Sequence, residues 1–205
     1  MPYLKQIANQ INVELKASVF NDKRFSSAEF NAIAYPVMVD NRDDRQQIAP
    51  CIPLSAGEYK QMMFDDTKSF VLYHKILSKS YQRVENDGSS FGRVSGRNMR
   101  AVTQMQMVFL CNRDIIKILT EELEALVVTN FPDGKETGFK TISSSILGVD
   151  IKPVNSDFDY TRLWIQEFKG YEFNVNPDRA MLSVNYTIES TFKTKCFKLC
   201  DCQTQ

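Results

Sequence analysis

The chain has 205 residues, 43% of them apolar, 24% charged and 11% aromatic, a composition that builds a packed core and excludes a disordered chain. Twenty-five Lys and Arg stand against twenty-five Asp and Glu, a formal charge of zero. That balance lacks the basic excess of a dedicated nucleic-acid binder and the self-repulsion that keeps a protein from associating.

No apolar stretch follows Met1-Pro2-Tyr3, and no window approaches the ~18 apolar residues of a membrane-spanning helix. The expectation is a protein made in the cytosol with its cysteines reduced.

In chain order, Leu4, Ile7, Ala8, Ile11 and Leu15 recur at helical spacing and predict a helix over 4–20, ended by Asn21-Asp22. Residues 29–39 are aromatic and β-branched and predict a strand, which Pro36 pushes toward a sheet edge. Residues 40–53 are polar, with Pro50 and Pro53 around Cys51, and predict a long loop. Residues 69–84 predict an extended arm. Its partner is 100–111, where Ala101, Thr103, Met105, Met107, Phe109 and Cys111 alternate with Gln104 and Gln106. The connection between them, 85–99, contains Gly88, Gly92 and Gly96 and reads as a flexible hairpin tip.

Residues 114–130 predict a helix that buries Ile115, Leu119, Leu123, Leu126 and Val127, with Asn112 as its cap and Phe131-Pro132-Asp133-Gly134 as its stop. Ser145, Leu147, Val149, Ile151 and Pro153 share one face of a further strand. Tyr160, Leu163, Trp164 and Phe168 mark a short amphipathic piece within 157–168. Last, Leu182, Val184, Tyr186, Ile188, Ser190 and Phe192 alternate with polar residues in a half-buried strand. The expected class is α+β, a largely antiparallel sheet with a long β-hairpin and helices packed on one face. One domain spans 1–195, with long loops at 40–65 and 85–99, and 196–205 is a cysteine-containing tail.

Little in this chain has the pattern of chemistry. A lone histidine, His74, offers no cluster and reads as an ordinary polar strand residue. Cys196, Cys200 and Cys202 give CxxxC and CxC spacing without the fourth ligand of a structural zinc site, which Cys51 or His74 would have to complete in space; a packed or solvated tail is expected. The run from Gly88 to Gly96 lacks the Gly-Lys-Ser/Thr of a phosphate loop. Glu167-Phe168-Lys169 has the acid-x-lysine form of restriction-type nucleases, with Asp150 or Asp133 as the preceding acid for Mg²⁺. The triplet lacks the strand context such a site needs. The zero charge is also unevenly spread: residues 60–100 carry eight basic and four acidic residues, and residues 114–136 carry two lysines and six acids. The two regions suit head-to-tail packing of identical copies.

The order of elements resembles the tail-terminator and tail-completion proteins of tailed bacteriophages. The resemblance rests on the alternating strand Ala101–Cys111 running through Asn112-Arg113-Asp114 into a helix, the stretch Phe158-Asp159-Tyr160, and the closing strand Leu182–Phe192, and it covers about residues 1–195. The longer 40–65 loop, the glycine-rich tip and the cysteine tail depart from the smaller members. The resemblance implies a homomeric ring at the head-to-tail junction, surrounding the DNA channel and touching adjacent connector or tail rings, located in the virion neck and assembled in the host bacterial cytoplasm. It implies no catalytic residue; no cofactor, metal or membrane is expected, and the basic hairpin could make transient contact with passing DNA. The alternative from the residues alone is a Mg²⁺-dependent nuclease using Asp150, Glu167 and Lys169.

Overall fold

A computed structural model describes residues 2–40, 46–54, 57–62, 65, 67–84, 98–132, 146–157, 160–168 and 179–193. The first helix, α1, spans Pro2–Ser18. Four strands follow: β1 (Glu29–Ile33), β2 (Tyr35–Asp40), β3 (Gln46–Pro53) and β4 (Tyr59–Gln61). The long strands β5 (Phe70–Val84) and β6 (Asn98–Asn112) come next, then the short helices α2 (Arg113–Ile116) and α3 (Thr120–Thr129). The chain closes with β7 (Ile146–Asp157), α4 (Tyr160–Glu167) and β8 (Arg179–Lys193).

The main sheet has five strands in the order β1-β5-β6-β8-β7, and β2-β3-β4 form a second sheet of three. Among the described strands, only β1 runs parallel to its neighbour, β5; the other pairings are antiparallel. The α+β class and the antiparallel sheet are as the sequence predicts.

All five predicted stripe residues of α1 are fully buried. They pack on a sheet face built from Phe70, Leu72, Met105, Met107, Phe109, Leu182, Val184 and Ile188. Each buried Leu or Ile contributes about 2 kcal/mol. Phe20, Phe25, Phe30, Phe70 and Phe109 close the end of this core, with ring centroids 4.8–6.0 Å apart. Ile116, Leu123 and Val127 bring α2 and α3 to the same face.

Four expectations change. First, the helices do not all share one face. Leu163 and Phe168, at and beside α4, join Ala34 and Met62 against Val71, Tyr73, Val108, Leu110 and Met181 on the opposite side. The apolar runs of β5, β6 and β8 are apolar on both parities there, so both faces need cover.

Second, the strand predicted over 29–39 divides at Ala34. Its backbone N–H still bonds the His74 carbonyl at 2.8 Å, and the chain then leaves β5 to begin the second sheet. Third, the loop predicted over 40–53 contains β3, which pairs with β2 from Tyr35↔Cys51 to Asp40↔Gln46. Pro50 stands opposite Pro36, and its carbonyl turns to the β4 side to accept Met62 N–H at 2.8 Å. Its missing N–H therefore costs the β2–β3 ladder nothing.

Fourth, the helix predicted over 114–130 is broken. Lys117 adopts the left-handed conformation, φ 51° and ψ 37°, and the turn it makes rotates the stripe. Ile116, Ile118, Leu123 and Val127 are buried, while Ile115 and Leu119 face solvent. Asn112 does cap the start, accepting Asp114 N–H at 3.0 Å. The 85–97 tip and the 194–205 tail lie outside the described residues.

Candidate functional site

The distinctive surface is half of the main sheet's second face. Register places Val71, Tyr73, Val108, Leu110, Met181 and Ser183 on that face at the end covered by α4. Farther along the same strands the same parity becomes polar. On β5 it carries Lys75, Ser78, Ser80 and Gln82, after a bulge at Leu77; on β6, Gln106, Gln104, Val102 and Arg100. On β8 it carries Asn185, Thr187, Glu189 and Thr191, and on β7 Asp150, Lys152 and Asn155. The other side of this stretch still buries Ala101, Met105 and Ile188. One face is thus core and the other is exposed or half-exposed, as an antiparallel sheet permits.

The charges on and beside this face are matched. Lys75 bonds Glu167, Arg100 bonds Glu189, Lys152 Nζ lies 2.9 Å from Asp150 Oδ2, and Arg162 bonds Asp157. Such pairs add little stability where exposed. Their consequence is electrostatic: the face presents amides and hydroxyls with no net charge from these pairs. Ser78 Oγ donates to Gln104 Oε1 at 2.9 Å, and Asn185 Nδ2 donates to Asn155 Oδ1 at 2.6 Å, so its polar groups also bind one another across strands.

The same pairings qualify the basic stretch of residues 60–100. Lys60 pairs with Glu29 at 3.5 Å, and Lys75 and Arg100 have the partners just named. Local sequence charge therefore overstates the bare positive surface, because the compensating acids come from distant segments.

Glu167, at the last turn of α4, is buried. It accepts the Tyr73 hydroxyl at 2.6 Å on Oε1 and the Lys75 ammonium on Oε2. It fastens α4 to β5. Burial and the Glu167 carboxylate beside it push the Tyr73 hydroxyl well above its ordinary pKa. Asp150 lies on β7, three strand spacings from β5, or roughly 14 Å across the sheet. Two ligands of one Mg²⁺ each sit about 2 Å from it, so the structure does not bring Asp150 and Glu167 together. Lys169 and Asp133 fall outside the described residues.

His74 is a strand residue of β5, and it is fully buried. Asn12 Nδ2 donates to the Asn31 carbonyl at 2.9 Å, which turns Asn12 Oδ1 toward His74 Nε2 at 2.8 Å. Nε2 therefore carries the proton, and Nδ1 accepts from the Tyr186 hydroxyl at 2.8 Å. Burial pushes the imidazole pKa down to about 3, so it is neutral. With both nitrogens engaged it is a bridge from α1 to β8.

Cys51 and Cys111 are buried free thiols, and burial raises both pKa values, that of Cys111 to about 12. Neither is a ready nucleophile. Among the described residues no cluster of His, Cys, Asp and Glu could hold a metal. The Cys196–Cys202 group and the Gly88–Gly96 run lie outside those residues.

The polar half-face was not singled out from sequence, although its signal is there. In β6 one parity reads Val102, Gln104, Gln106 and then Val108, Leu110, a switch that marks where cover on that face begins. The Tyr73–Glu167 contact joins residues 94 positions apart and left no local trace. No family model matches the chain, and no curated protein matches it. No helix is long and apolar enough to cross a membrane among the described residues.

Proposed function

We propose that this chain is a structural virion protein that forms a homomeric ring at the head-to-tail junction of a tailed bacteriophage, around the DNA channel and against adjacent connector or tail rings. The observation that carries the reading is the half-open main sheet: helices α1 to α3 seal one side, and the other presents a broad polar face whose charges cancel in pairs. Such a face suits a wall past which DNA slides. Unpaired lysines and arginines would hold phosphates, and uncompensated acids would repel them. The element order along the chain supports the same reading. The protein would assemble in the bacterial cytoplasm and reside in the virion neck.

Native mass spectrometry over a range of concentrations, with imaging of the assembled particle, tests this. A closed ring of one stoichiometry is expected. A strict monomer at every concentration, with no ring in the particle, overturns it.

A further inference from the structure

We draw no further inference here: the strongest candidate, the exposed apolar pair Met38 and Ile48 that stand opposite one another on the β2–β3 ribbon of the second sheet, is an unpartnered surface patch, and nothing in the structure shows what covers it.

Discussion

His74 shows how much one side chain can bind together and how little of that is visible locally. Its partners Asn12 and Tyr186 are 62 and 112 residues away, so nothing near position 74 distinguishes a bridging imidazole from a solvated one. Among the described residues its hydrogen-bond partners are Asn12 and Tyr186, both uncharged, and burial alone sets the direction of its shift. Its pKa is about 3 in the fold against 6.5 as the ordinary value, so between those limits the unfolded chain binds more protons. Stability from this group is complete above pH 6.5. It falls by about 1.4 kcal/mol per pH unit as pH drops toward 3, where the loss levels off. Urea unfolding at pH 7 and pH 5 is expected to show that loss, and His74→Gln is expected to flatten the profile over the same window. An unchanged slope in the variant would remove His74 as its source.

At the scale of elements, the long strands of the main sheet were legible, while β3 and the breaks were not. Alternation in 100–106 and 184–191 survives because one face of each strand is buried there and the other is not, and the buried face imposes period two on the sequence. The stripe of α1 survives for the same reason, with period 3.6. Residues 113–129 misled because Ile115, Leu119, Leu123 and Leu126 satisfy helical spacing as well as the true set does. What excludes a continuous helix is the single backbone reversal at Lys117, and lysine gives no warning of it.

That reversal has a test with opposite signs. In a continuous exposed helix, Lys117→Gly costs about 1 kcal/mol. At φ 51° glycine relieves the strain, so the variant is expected to gain about 0.5–1 kcal/mol. In thermal unfolding that is a midpoint higher by about 1–4 °C for a chain this size. A lower midpoint would mean that the helix runs through.

On the scale of the whole molecule, the zero net charge is built from contacts rather than from composition alone. Arg100 meets Glu189 across strands, and Lys152 meets Asp150 on one strand, so the open face is neutral where the proposed channel would lie. If neutrality is what lets DNA pass, removing the acids should make the face retain it. Asp150→Asn with Glu189→Gln leaves Lys152 and Arg100 without those counter-charges and adds two positive charges to each copy. Assembled wild type is expected to bind duplex DNA weakly at 50 mM salt. The assembled double variant is expected to bind measurably, with affinity falling steeply as salt rises, because each phosphate contact releases a counterion. Fluorescence anisotropy of a labelled duplex across a salt series reads both quantities. Equal binding by the two proteins would show that DNA does not meet this face. Salt-dependent binding by the variant alone would join the pairing of charges to the passage of the genome.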